Sequence, residues 1–369
     1  MIVGIKHLAR IVLKNPLVYV MPFVLAAALA LPALTGQFAM SGSDVLGYFS
    51  SELLQQTEAN LAAALAYESD PGTVSIFENQ VDAVNRARRA STEAELIQAG
   101  ADYWRAYLDL YQLGVVDDLG GVANALAFIR VSEYPDPVFF DQADEIPAAP
   151  LVAASYPLVS GVLWFAPALV VGFLVLDAQK RGALWNQAPR SRLSGAAVTF
   201  CTMAGIACLL SAASLALALL VAGLCNGWGH ADYPAVWIQG DGIEESTAGG
   251  VVLRLTAWLC LADVFLCALM SAAGAFGLPA LASVGLGALV PVASSLDVVA
   301  HALEDWVRWV PLSYMDPLQV AGVLTYANAV SYAPLGVDFL GCTLVLGSGG
   351  AALVLLLIAA SAPRKTVSC

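Results

Sequence analysis

One carboxylate stands well inside an apolar run: Asp263, in Leu261-Ala262-Asp263-Val264-Phe265. Burying a charge at the centre of a bilayer costs roughly 2.5–3.5 kcal/mol on insertion scales, so such a residue faces a cavity or a partner. Two chemistries fit it: contact with a substrate or ion, or a hydrogen bond that holds two helices together. Arg254 begins the same run nine residues earlier. That is about 13 Å along a helix, too far to pair and suited to snorkelling outward. A second group able to act lies in one short hydrophilic stretch, Asp177, Lys180, Arg181, Gly182, Leu184, Pro189, Ser191 and Arg192.

Other reactive signatures are missing. There is no G-x-x-x-x-G-K-[ST], so these residues cannot cradle ATP phosphates by themselves, and no H-E-x-x-H occurs. His7, His230 and His301 are far apart in sequence, and no C-x-x-C exists among the 7 cysteines. Cys201 with Cys208, and Cys260 with Cys267, repeat at seven residues inside apolar runs, where cysteine packs as a small hydrophobe. Gly347 to Gly350 also sits inside an apolar run, where small residues let helices approach closely. The residues imply no catalytic, cofactor or metal site in this chain.

The elements that must position these groups follow from composition. Hydrophobic residues make up 59% and charged residues 12%, with a mean hydropathy of +0.74. A soluble enzyme is excluded on those figures, against a norm of about 25% charged. The net charge of −13 is uneven: residues 37–150 hold eighteen acids and five arginines, and the remainder sums to zero. Such an acidic surface repels nucleic acid and anionic lipid. Basic residues beside apolar runs gather in three stretches: Lys6, Arg10 and Lys14; Lys180, Arg181, Arg190 and Arg192; Arg364 and Lys365. Loops rich in Lys and Arg stay in the cytoplasm, which puts both termini inside at a cell membrane.

About 20 apolar residues cross a bilayer, which predicts six spans: Pro16–Leu34, Val152–Leu176, Gly195–Leu224, Val251–Gly274, Ala280–Ala300 and Val337–Ser361. The expected fold is an all-α polytopic membrane protein. Residues 1–36 form an interfacial helix and the first span. Residues 37–150 form an acidic helical extracytoplasmic insertion between spans 1 and 2. Residues 151–369 carry spans 2 to 6 with a cytoplasmic loop at 177–193. Before the first span, Lys6, Arg10 and Lys14 fall on one helix face opposite aliphatics, so that segment lies along the membrane surface. A signal peptide cleaved near Ala28-Leu29-Ala30 is the rival reading of this end.

Within the insertion, Ser75 with Glu78 and Thr92 with Glu95 read as capping boxes, and the second opens a helix of about five turns ending at Gly114. Along it Tyr103, Trp104, Tyr107, Leu108 and Tyr111 recur at three and four residues. That stripe reads as buried core, with a ligand groove as the alternative. The aromatic stretch 301–336 is expected as short helices at the outer interface.

The run Phe173-Leu174-Val175-Leu176-Asp177-Ala178-Gln179-Lys180-Arg181-Gly182-Ala183-Leu184-Trp185-Asn186-Gln187-Ala188-Pro189-Arg190-Ser191-Arg192 resembles the loop between spans 2 and 3 of ABC-2-type (type V) ABC transporter permeases. There an acid–x–x–x–x–Gly–x–Leu…Pro–x–Ser–Arg pattern forms a coupling helix. Asp177 stands where Glu is commoner. Pro311-Leu312-Ser313-Tyr314-Met315-Asp316-Pro317 is similar to a segment that some members place before the last span. The resemblance implies a permease subunit of an exporter working by alternating access, with a separate ABC ATPase subunit binding ATP, a second permease copy or homologue, and membrane lipid as partners. An apolar lining leans toward an amphipathic cargo. Two other classes compete: a membrane-anchored extracytoplasmic sensor or scaffold, and a secondary transporter. The first would need a cytoplasmic output module, and the second several intramembrane ionisable residues.

Overall fold

The computed structural model describes residues 2–35, 48–67, 70–135, 137, 139, 146–159, 161–181, 192–295, 306–322, 332–333 and 337–361. Among these the helices are α1 (Ile2–Val12), α2 (Pro16–Thr35), α3 (Ser51–Ala66), α4 (Pro71–Arg89), α5 (Glu93–Gln112), α6 (Leu119–Ser132), α7 (Ala148–Ser155), α8 (Gly161–Trp164), α9 (Ala166–Arg181), α10 (Arg192–Asn226), α11 (Ala248–Ala275), α12 (Ala280–Ser294) and α13 (Phe339–Ser361). Three strands are β1 (Pro234–Gln239), β2 (Gly242–Thr247) and β3 (Tyr332–Ala333).

Among the described residues three helices are long and apolar enough to cross a membrane, within α10, α11 and α13, which marks a membrane protein. The pair α1 and α2 passes the same test together but bends by 74°. The bend has a local cause: Asn15 Oδ1 accepts from the Leu17 amide at 3.0 Å, capping a new helix whose first residue is Pro16. On α1, Gly4, Leu8 and Val12 are buried while Lys6, Arg10 and Lys14 are exposed, the amphipathic face that the spacing predicts.

Two of the six expected spans, the second and the fifth, are not single long helices among the described residues. The second is broken into α7, a 3-10 turn over Tyr156–Leu158, α8 and α9. Pro157 and Pro167 each sit at the start of a new segment, since proline lacks the amide that would continue the ladder. The fifth is helical only through Ser294, about 22 Å of rise against a hydrocarbon core of roughly 30 Å. Residues 296–305 lie outside the described ones.

Helix α11 is the centre of the bundle: 61% of its apolar window is buried, against 39% in α10 and 28% in α13. It packs on α13, α10, α12, α7 and α9. Met270 of α11 lies where side chains at Gly172 of α9 and Gly287 of α12 would be, at 2.7 Å and 3.0 Å from their built Cβ positions. Small residues here set the helix separation.

Helices α3 to α6 pack in succession around their own core, Phe49, Ala83, Val84, Tyr103, Trp104, Ala125 and Phe128. The helix from Thr92 is as expected, ending before Gly114 at φ +70. The box at Ser75 and Glu78 is not used. Asp70 caps α4 instead, accepting from Gly72 at 2.9 Å with Pro71 at the first position, so Ser75 and Glu78 fall inside the helix.

The all-α expectation also missed a three-stranded sheet of order β2-β1-β3. β1 and β2 form an antiparallel hairpin with Gln239 opposite Gly242, so the loop is Gly240-Asp241. Gly240 has φ +58, as the first position of a two-residue hairpin favours. β3 joins β1 in parallel, Ile238 opposite Tyr332. Alternation along β1 splits its side chains between two bodies: Val236 and Ile238 pack with Ala123 of α6, while Ala235 and Trp237 join the bundle core. Arg254 places its guanidinium 5.4 Å from the Trp237 ring centroid, a cation–π contact at the end of α11 nearest the sheet.

Trp237 is closed in on another side by Gly322, whose built Cβ would lie 2.4 Å from the indole and whose φ is +82. Gly277 has φ +96 with nothing within 4 Å. Alanine at Gly277 is therefore expected to cost about 1–2 kcal/mol of backbone strain alone. Alanine at Gly322 adds overpacking of about 1–3 kcal/mol. Thermal unfolding of the two variants checks this: the melting temperature should fall further for Gly322→Ala.

Candidate functional site: a carboxylate between two central helices

Asp263 sits halfway along α11, and both it and Ser211 of α10 are 0% exposed. Ser211 Oγ donates to Asp263 Oδ2 at 2.6 Å. Oδ1 finds no hydrogen-bond partner. One turn away, Cys208 Sγ approaches the Cys260 carbonyl at 3.6 Å, and about two turns to the other side Ser271 Oγ approaches Met203 Sδ at 3.4 Å. The two helices thus run antiparallel with their small polar residues turned toward each other. Among the described residues no ion pair reaches Asp263 and no cluster of three metal-ligating side chains occurs. Of the two chemistries open to Asp263, the observed contact is the helix-to-helix hydrogen bond.

Sequence reasoning found Asp263 but missed Ser211. A signal existed: Cys208-x-x-Ser211 and Cys260-x-x-Asp263 share one spacing, placing each polar residue on the face of its neighbouring cysteine. Of the cysteines read as packing residues, Cys267 and Cys342 are buried, Cys208 and Cys260 are half-buried and Cys201 is exposed. All six that the structure describes are free thiols.

The stretch from Asp177 to Arg192 is only partly described. Asp177, Lys180 and Arg181 form the last turn of α9, where cations complement the helix dipole. Arg181 Nε pairs with Asp177 Oδ1 at 2.9 Å, an exposed intrahelical pair worth about 0.3–0.5 kcal/mol. Lys180 Nζ donates to the Leu278 carbonyl at 2.9 Å, joining this turn to the α11–α12 connection. Arg192 is the first residue of α10. Gly182, Leu184, Pro189 and Ser191 lie outside the described residues.

The segment Pro311 to Pro317 folds as short 3-10 turns against the bundle. Trp258 Nε1 of α11 donates to the Tyr314 carbonyl at 2.7 Å, and Tyr314 Oη donates to the Arg308 carbonyl at 2.9 Å. Asp316 caps the last turn, accepting from Leu318 at 3.0 Å. Burial pushes its carboxyl above the usual range.

Removing the Ser211 hydroxyl leaves both Asp263 oxygens without a donor. Ser211→Ala is expected to lower stability by about 1–3 kcal/mol, with Asp263→Asn costing less and the double apolar variant Ser211→Ala/Asp263→Val recovering part of the loss. Thermal unfolding of purified protein reads all three. Equal loss in every variant would show that shape, not the hydrogen bond, is what matters there. The chain matches no family model, no curated protein and no solved structure.

Proposed function

We propose that this chain is the membrane permease subunit of an ATP-binding-cassette exporter, crossing the cell membrane six times with both termini in the cytoplasm. On this reading residues 177–193 dock on a separate ATPase subunit, and 37–150 form an extracytoplasmic domain. The sequence carries the motif for docking and lacks a P-loop, so the fuel must come from a partner.

The observation that carries the reading is the sorting of connections to two ends of the bundle. Lys180 meets Leu278, so the basic turn after α9 and the α11–α12 turn share one end. At the other end Asn226 Nδ2 donates to the Ile146 carbonyl at 2.9 Å, Ser155 Oγ to the Leu29 carbonyl at 2.9 Å, and Gln239 Nε2 to the Gln319 carbonyl at 2.7 Å. α2, α7 to α9, α10, α11, α12 and α13 then alternate in direction, which accords with six crossings. The basic connection and the uncharged turn fall on one side, and the acidic domain, the sheet and the aromatic 306–322 segment on the other.

In the proposed mechanism, closure of the ATPase dimer pushes on residues 177–193. α9 and α10 move with that stretch, and α11 follows through its contacts with both. A second permease copy completes the translocation path. The cargo class stays at an amphipathic compound.

Co-expression with an ATP-binding-cassette subunit tests the reading. The intact chain should retain the ATPase on affinity purification. Replacing Gly182 and Leu184 with Asp should reduce the retained ATPase at least roughly tenfold, about 1.4 kcal/mol of docking energy. Equal retention by the variant would contradict docking through this stretch.

A further inference from the structure

The domain built from α3 to α6 contains a cleft of about 530 Å³, within the size range of small-molecule sites. Its floor is the aromatic stripe of α5, Tyr103, Trp104 and Tyr107, joined by Tyr48. Tyr48 stacks on Trp104 with centroids 5.4 Å apart and planes 17° apart. The stripe therefore serves both purposes weighed from its spacing: one edge is core and the other faces open space.

The polar lining is what a core would not contain. Gln56 and Asn60 of α3, Gln80 of α4 and Asn124 of α6 bring four side-chain amides to the same cleft. Gln80 is only 3% exposed. No hydrogen bond to its side-chain amide is found among the described residues. Its amide is not among the described buried atoms that lack a partner, so the access it keeps is through the cleft, where its donors and acceptor are open to an occupant. Asp118 lines the rim, its carboxylate accepting from Tyr107 Oη at 3.2 Å and from the Gly120 amide at 3.0 Å. Burial and the Asp118 charge push the Tyr107 hydroxyl up, so it remains a proton donor at neutral pH.

We infer that this cleft binds a neutral saccharide, its hydroxyls satisfied by the Gln56, Asn60, Gln80 and Asn124 amides and its ring packed on Tyr48 and Tyr107. Each amide offers both donors and an acceptor, which matches hydroxyls that are both. No Lys, Arg or His is among the described lining residues, and the surrounding segment is strongly acidic, so an anionic ligand is disfavoured. A small cation is poorly served: Asp118, the one carboxylate among the described lining residues, is already hydrogen-bonded to Tyr107 and the Gly120 amide. An extended peptide would want a strand edge, and the cleft walls are helical. The inference stands on the cleft alone and holds whether or not the chain is a permease.

Isothermal titration of the full chain in lipid nanodiscs tests it, avoiding detergents with sugar headgroups. The probes are glucose, galactose, mannose, N-acetylglucosamine and maltose, with choline chloride and triglycine beside them. At least one saccharide should bind saturably, and Gln80→Leu and Asn124→Ala should each weaken it roughly tenfold with the circular dichroism spectrum unchanged. If Gln80→Leu does not fold, Asn124→Ala, at a half-exposed position, carries the comparison alone. The proposal is overturned if no saccharide in the panel binds, if both variants bind as tightly as the parent, or if only choline or triglycine binds.

Discussion

Charge cannot be left in the apolar interior without compensation, and that constraint organises the whole molecule. Among the described residues of α2 and α7 to α13, formal charges lie at helix ends and connections, with Asp263 and Arg254 the exceptions. Arg254 resolves its position by reaching the Trp237 ring at the sheet. Asp263 resolves its own through Ser211, tying the central helix α11 to α10. Everything else ionic is pushed to one end or the other, and the two ends consequently differ in sign.

The same constraint explains how the acidic domain attaches. Its own helices pack around aromatic clusters, yet its hold on the bundle is through β1, a strand apolar on both faces. Around that strand the contacts turn polar. Arg130 pairs with Glu245 at 2.8 Å, and the Tyr134 hydroxyl donates to Asp232. The Gln239 amide, which also accepts from Trp237 Nε1 at 2.9 Å, donates to the Val337 carbonyl. A movement of α11 would be felt at Trp237 through Arg254, and from there at α6 through Val236 and Ile238. The domain and the bundle are thereby mechanically joined at the point where α11 begins.

Much of this was legible in the sequence because periodicity survives burial. The cationic face of α1, the five-turn helix from Thr92 and the long apolar helix α10 each follow from spacing and caps. What escaped were features decided by competition or by distance. Asp70 with Pro71 outbid Ser75 as the start of α4, since a helix takes the earlier cap when proline fixes its first turn. The hairpin at Gly240-Asp241 carried a turn signal, but its strands are only six residues each and β1 is apolar from Pro234 to Ile238, so no alternation announced them. Ser211 was invisible as a partner because a serine in an apolar helix bonds its own backbone as readily as a neighbour. The aromatic stripe showed its period but not that one edge faces a cleft, because that depends on how α3, α4 and α6 pack around it.

The central claim, that opposite charge marks opposite sides of a membrane, is tested most directly by labelling single cysteines in intact cells. With the native cysteines replaced, Gln179→Cys reports the basic end and Glu58→Cys, on the exposed face of α3, reports the acidic one. The account predicts that a membrane-impermeant maleimide modifies Glu58→Cys at once and Gln179→Cys only after permeabilisation. Modification of both positions from outside would contradict it.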